Sequence, residues 1–99
     1  MDEATPIGNI KMGDRNLNFT GTVKEVREAR TFNKFGKEGK VQEVIVGDDS
    51  GSAVLVLWNE MAETLKEGDK VNVTGAYTKE FRGEIQLHIP RQGTMEKAE

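Results

Sequence analysis

Residues 41–60 read VQEVIVGDDSGSAVLVLWNE, and the fold turns on how that stretch divides. Two β-rich runs, Val41 to Val46 and Ala53 to Trp58, flank Gly47 to Gly51 (GDDSG), a string of residues that favours tight turns. The reading is a hairpin. Asp48 and Asp49 belong to it as turn residues whose carboxylates bond nearby backbone N–H groups, rather than as metal ligands or an acid–base pair. In the second run the side chains alternate, so Leu55 and Leu57 share one face while Val54, Val56 and Trp58 share the other. Both faces are apolar. Either this strand is buried on both sides or its outer face is a groove, and a barrel strand normally has one buried face.

Toward the N-terminus, Leu17, Phe19, Gly21 and Val23 alternate with Asn18, Thr20, Thr22 and Lys24, which predicts a half-buried strand bending at the glycine. Arg30 to Lys40 (RTFNKFGKEGK) is basic and glycine-containing and reads as a loop. Beyond the hairpin, Asn59 reads as an N-cap for one or two helical turns through Leu65. Met61 and Leu65, four residues apart, would close one end of a barrel, and Gly68 stops the helix. Met12 reads as another core filler. Val71 and Val73 begin a fourth strand that bends near Gly75 and runs to about Lys79. A bulge at Gly75 would exchange the inward and outward parities, so the side taken by Tyr77 stays open. Glu80 to Gly83 is a second hairpin loop. Ile85, Leu87 and Ile89 alternate in a fifth strand ending at Pro90, with His88 pointing away from the core onto a solvated face.

The order is β-β-β-α-β-β. This predicts an all-β, five-stranded Greek-key OB-fold barrel with one short helix between strands three and four. A single domain is expected over residues 7–91, with 1–6 and 92–99 as frayed polar ends.

The composition agrees with one modest core: 99 residues, 35% hydrophobic and 31% charged. With no cysteine there is no disulfide framework, thiolate zinc site or cysteine nucleophile. A single histidine does not make a histidine-rich metal site, so no catalytic residue, metal or cofactor is expected and the chain reads as non-enzymatic. The longest apolar run, Ala53 to Trp58, is too short to span a bilayer. The opening MDEATP is no secretory signal, so the expectation is an intracellular protein. Net charge is −3, which taken globally argues against a polyanionic partner. The distribution reverses that argument. Arg27 to Lys40 holds five basic residues against two acidic, whereas Asp48 to Asp69 holds six acidic against one basic.

Several motifs then fall in order: Arg30-Thr31-Phe32, Gly36 to Lys40 (GKEGK), Gly47 to Gly51 (GDDSG), Leu57 to Glu60 (LWNE) and Lys66 to Val71 (KEGDKV). Together they resemble replication protein A and its archaeal relatives, over Ile7 to Ile89. The resemblance implies single-stranded DNA binding without catalysis, by stacking bases on aromatics in a groove. It also implies partners among other OB-fold subunits or replication and repair proteins, and a cytoplasmic, nucleoid-associated location (nuclear in a eukaryote). Trp58 matches the family's strand-three stacking aromatic and Phe81 its loop aromatic. Arg30, Phe32 and Lys40 match positions around the first long loop that face nucleic acid. Some members carry arginine where this chain has Val54, which implies one phosphate contact fewer.

The residues support the same site on their own chemistry. Phe32 and Phe35 straddle Lys34 in a segment that also holds Arg30, Lys37 and Lys40, and interleaved cations and aromatics suit a strand of alternating phosphates and bases. One of the two phenylalanines is expected to pack inward, with Phe32 assigned to contact and Phe35 left open. The expected site is Trp58, Phe81 and Phe32 for stacking, with Arg30, Lys34, Lys37, Lys40, Lys79 and Arg82 along a phosphate track. Two alternatives stand beside it: a protein-interaction OB domain within a replication or repair complex, and an RNA or tRNA binder, distinguishable through the 2′-hydroxyl.

Overall fold

The computed structural model describes residues 5–90 and 92–98. Its strands are β1 (Leu17–Val26), β2 (Arg30–Lys34), β3 (Lys37–Asp48), β4 (Gly51–Trp58), β5 (Lys70–Phe81), β6 (Glu84–His88) and β7 (Thr94–Ala98). The 41–60 hairpin forms as read, with β3 and β4 antiparallel from Val41 opposite Trp58 to Asp48 opposite Gly51. Asp48 holds the turn. Its Oδ1 accepts from the Ser50 and Gly51 N–H groups at 2.8 and 3.2 Å, while Oδ2 accepts from the Ile7 N–H at 3.0 Å. These bonds, first the one from Ile7, pull its pKa down to about 2. The turn is thereby latched to the N-terminal 3-10 turn Ile7–Asn9.

Five strands close into a ring, β1–β3–β4–β6–β5 and back to β1, with β4 and β6 parallel and the other pairs antiparallel. Parity decides what the ring encloses. Phe19, Val23, Val44, Val46, Leu55, Leu57, Val71, Val73 and Leu87 are buried inside, joined by Ile7 from the 3-10 turn. Each such side chain contributes about 1.5–3 kcal/mol of transfer free energy. In β5 the register slips: Phe19 faces Val73, but Leu17 faces Ala76. The extra residue lies beside Gly75, whose φ of +80° suits glycine, and inward burial passes from Val71 and Val73 to Ala76. Tyr77 therefore faces outward.

Several expectations change. The segment after β4 makes one 3-10 turn, Asn59–Met61, because Ala62 is already extended and Glu63 has φ +66°. Asn59 itself has φ +53° and lies inside that turn rather than capping a helix; its Oδ1 accepts from the Lys40 N–H at 3.2 Å. Leu65 is nevertheless buried in the core, with Met61 packed against it. Arg30 to Lys40 is a regular hairpin, β2 on β3, in register from Arg30 opposite Val41 to Lys34 opposite Lys37. Its turn is Phe35-Gly36, both with positive φ, the backbone of a two-residue hairpin loop. The C-terminal residues Thr94–Ala98 are an added strand on β5, placing Met95 opposite Val73. Met12 is 46% exposed, because Ile7 and Ile10 take the core positions near it. Gly21 makes room rather than a bend: a Cβ there would meet Ile7 Cδ1 at 2.8 Å. The expected domain end at Arg91, and residues 1–4 and 99 of the expected polar ends, lie outside the described residues. No helix among the described residues is long and apolar enough to cross a membrane.

Candidate nucleic-acid interface

The ring's outer face carries the candidate site, and strand pairing assembles it. Residues directly opposite in neighbouring strands share a face. On β2 and β3 that rule groups Arg30, Phe32 and Lys34 with Val41, Gly39 and Lys37. Val41 and Glu43 lie opposite Trp58 and Val56 of β4, and Val56 lies beside His88 of β6. His88, Gln86 and Glu84 in turn oppose Tyr77, Lys79 and Phe81 of β5. One continuous face runs across five strands. At its centre is a groove of about 230 Å³ lined by Arg30, Val41, Glu43, Val56, Trp58, Lys79, Phe81, Gln86 and His88.

Aromatic rings line up along it. Phe32 meets Trp58 edge-on, with centroids 5.8 Å apart. Trp58 and His88 stack at 6.2 Å, and His88 and Tyr77 at 5.6 Å, with interplanar angles of 29° and 25°. Trp58 is 42% exposed and Phe81 51% exposed, whereas Leu55 and Leu57 on the opposite parity of β4 are fully buried. The outer face of β4 is thus a groove, floored by the buried Val56 and opened at Trp58. Phe32 lies flat over Gly39, where a Cβ would come within 2.3 Å of its Cζ. The glycine is the seat of the ring.

The electrostatics are set by which cations are already occupied. Among the described residues, Arg30, Lys34, Lys37, Lys79 and Arg82 make no ion pair, while the groove's one carboxylate, Glu43, is engaged by Arg27 at 3.3 Å and by the Gln86 amide at 2.9 Å. Burial, and then the charge of Lys79, lower the pKa of His88 below its ordinary 6.5, so the ring is neutral at pH 7.

Most of the expected residues converge on this face, with differences. Lys40 does not: it lies opposite Thr31 on the other side of the hairpin, with its ammonium paired to Glu63. Arg82 occupies the Arg82-Gly83 turn with φ +52° and covers Phe81, its guanidinium 5.2 Å from the ring centroid. Neither hairpin phenylalanine enters the core. Phe35 is 94% exposed at the turn, with Lys34 Nζ 5.9 Å from its ring. His88 is away from the core, as its parity requires, but only 6% exposed, because Trp58 and Tyr77 cover it on either side. Tyr77 and His88 are the two members of the row outside the expected site: the sequence leaves the side of Tyr77 open and puts His88 on a solvated face. The signal for Tyr77 was the bulge at Gly75, which reverses parity.

A family model described as single-stranded DNA binding protein Ssb-like, OB fold, matches residues 15–97. The chain belongs to this Ssb-like OB-fold family. It is 37% identical over 82 residues to the single-stranded DNA binding protein Ssb of Saccharolobus solfataricus, covering 83% of this chain and 55% of that protein. It is 36% identical over 86 residues to a replication factor A of Methanothermobacter thermautotrophicus, covering 78% of this chain and 10% of the relative. This Ssb-like chain therefore spans about half the length of the first relative and a tenth of the second. Among solved structures, the replication factor A related protein of Methanobacterium thermoautotrophicum matches with a TM-score of 0.78 at 28% identity, covering 97% of this chain and 91% of that one. The second OB-fold domain of replication protein A from Methanococcus maripaludis matches with a TM-score of 0.79 at 22% identity, covering 98% and 96%, and bears on the fold alone. The expected resemblance and the OB-fold both hold.

Proposed function

We propose that this domain binds single-stranded DNA in the groove between the β2–β3 hairpin and the β5–β6 hairpin. The observation that carries the reading is the row Phe32–Trp58–His88–Tyr77, from which Trp58 stands exposed in a groove beside the exposed Phe81, flanked by cations without acidic partners among the described residues. Trp58, Phe32, Tyr77 and Phe81 supply π-faces for successive bases, each stack worth about 1–3 kcal/mol. Arg30, Lys34, Lys37 and Lys79 meet the backbone, Arg82 stiffens Phe81, and Lys40 braces the hairpin from behind. Sequence preference is slight, because every base has a π-face. The reading is supported by the family's description as single-stranded DNA binding and by the Ssb relative of that name, with a replication factor A beside it.

The domain has no part in bond-making on this reading; it holds extended single strands during replication or repair, alone or beside further OB-fold subunits. Anisotropy titrations with labelled oligo(dT), oligo(U) and a blunt duplex test it. Oligo(dT) is expected to bind more tightly than the duplex and to quench Trp58. Equal or tighter duplex binding, or binding with unchanged Trp58 emission, would overturn the groove assignment, and a preference for oligo(U) would move the substrate to RNA.

A further inference from the structure

His88 occupies an unusual place for a histidine. It lies on β6, beside Val56 of β4 and opposite Tyr77 of β5, in the middle of the aromatic row. The Trp58 indole Nε1–H donates to its Nδ1 at 3.2 Å. Indole nitrogen is a donor only, so Nδ1 must accept and the imidazole proton sits on Nε2. That Nε2 is buried and has no partner among the described residues. A buried donor left unpaired is destabilising, and an apolar ring of the same size would fill the space without that penalty. Stability alone does not account for histidine here; the acceptor at Nδ1 does.

We propose that His88 is a positioning residue for the groove, holding Trp58 through a hydrogen bond that only the neutral imidazole can accept and releasing it on protonation. The proposal rests on the single-stranded DNA reading only for its consequence in binding; the His88–Trp58 contact stands in the free protein. When Nδ1 gains a proton, two donors face each other, and the indole leaves the orientation it holds against His88. The surrounding groups oppose the charged form. Lys79 on β5 and Arg30 on β2 line the same groove as cations, and Glu43 on β3 is already engaged by Arg27 and Gln86. Tyr77 from β5 covers one face of the imidazole, and β4 presents Val56 and the uncharged Trp58. Burial acts in the same direction. The hydrogen bond is therefore intact at neutral pH and breaks below 6.5.

The test uses the only tryptophan as reporter. Trp58 emission of the free protein is followed from pH 7.5 to 4.5 in wild type, His88→Asn and His88→Phe, each checked for folding by circular dichroism. Oligo(dT) affinity is then measured at pH 7.5 and 5.0. Asparagine keeps an acceptor and does not titrate, whereas phenylalanine keeps a ring and loses the acceptor. Wild type is expected to show a one-proton change in emission with its midpoint below 6.5, absent from both variants. His88→Asn should bind within about 2-fold of wild type at pH 7.5, and His88→Phe about 3- to 10-fold more weakly, the scale of one neutral hydrogen bond. At pH 5.0 wild type should fall about 3- to 10-fold relative to His88→Asn. An emission change that persists in His88→Asn, or equal affinities for the asparagine and phenylalanine variants, overturns the proposal. If emission titrates through His88 but no form binds oligo(dT), the positioning contact stands and the substrate reading falls.

Discussion

Replacing Gly39 by alanine asks whether Phe32 works from the seat it occupies. The added Cβ would stand 2.3 Å from Phe32 Cζ and 2.6 and 2.9 Å from the two Cε atoms, well inside the about 3.5–4.0 Å at which carbon atoms rest against one another. The ring must leave. It is the far end of a side chain on a hairpin whose β2 residues are all exposed, so the adjustment is a side-chain rotation and the barrel is undisturbed. Losing the edge contact with Trp58 costs about 0.5–1.5 kcal/mol, partly offset by about 0.4–1 kcal/mol from the smaller conformational freedom of alanine in the unfolded chain. Net stability should therefore move by less than about 1 kcal/mol. Binding should move more: a base stack is worth about 1–3 kcal/mol, and a displaced ring that keeps partial contact places the loss at about 5- to 30-fold in Kd. The assay is a double-mutant cycle with Phe32→Ala, Gly39→Ala and the pair, titrated with labelled oligo(dT) and melted in parallel. The two single substitutions remove one and the same stack, so the double variant should be no worse than Phe32→Ala alone. Wild-type affinity for Gly39→Ala, or independent addition of the two effects, would refute the seat.

Trp58→Ala should weaken oligo(dT) binding by about 1–3 kcal/mol, while Leu57→Ala, from a fully buried position, should cost about 2–5 kcal/mol of folding; melts and titrations on both separate groove from core, and an alanine at 58 that melts like one at 57 but binds normally would reverse the assignment. Four cations of this face, Arg30, Lys34, Lys37 and Lys79, predict a log–log salt slope of about −3, at about −0.7 per phosphate. Lys34 and Lys37 together replaced by alanine should flatten it by about 1.4, whereas Lys40→Ala, on the opposite side of the hairpin, should leave it unchanged. Asp48 is ionised in the fold down to about pH 2, below its ordinary 3.8. Its stabilisation is therefore complete above 3.8 and lost as pH falls toward 2. Asp48→Asn should remove this acid dependence and lower Tm by about 4–8 °C, the shift for about 1 kcal/mol in a domain this size, with oligo(dT) affinity at pH 7 intact.

The strand order was legible because β1, β5 and β6 announce themselves by period two and the two β-rich runs of the 41–60 hairpin flank a turn, GDDSG, whose carboxylate does what turn aspartates do. The site was legible where parity is uninterrupted: Leu57 and Trp58 are neighbours in sequence and opposites in space. Tyr77 was not, since one extra residue at Gly75 decides its side and only the register with Leu17 and Phe19 shows where that residue is absorbed. His88 was assigned the correct face and the wrong environment, because alternation says which way a side chain points and nothing about what lies over it. Arg30 to Lys40 hid its hairpin under loop chemistry; every residue of β2 is exposed, so no apolar alternation marks it. The helix failed for a local reason. Met61 and Leu65 keep their helical spacing and both reach the core, but Glu63 between them is held by its N–H to the Gln42 side chain at 2.7 Å, with φ +66°.

The ring has a kinetic consequence. Its antiparallel seam joins β1 to β5, and its parallel seam joins β4 to β6, so neither seam is a local hairpin. Pairing strands this far apart in sequence fixes long loops before the contacts reward it, which places folding in the slow, millisecond-to-second class of small β-barrels. On a ribosome, β3 and β4 can zip while later residues are still being added, yet the floor of the groove waits for β6. His88, the last residue of β6, stands where that parallel seam meets Val56. A nascent chain therefore exposes Trp58 on an unclosed sheet until synthesis has passed His88.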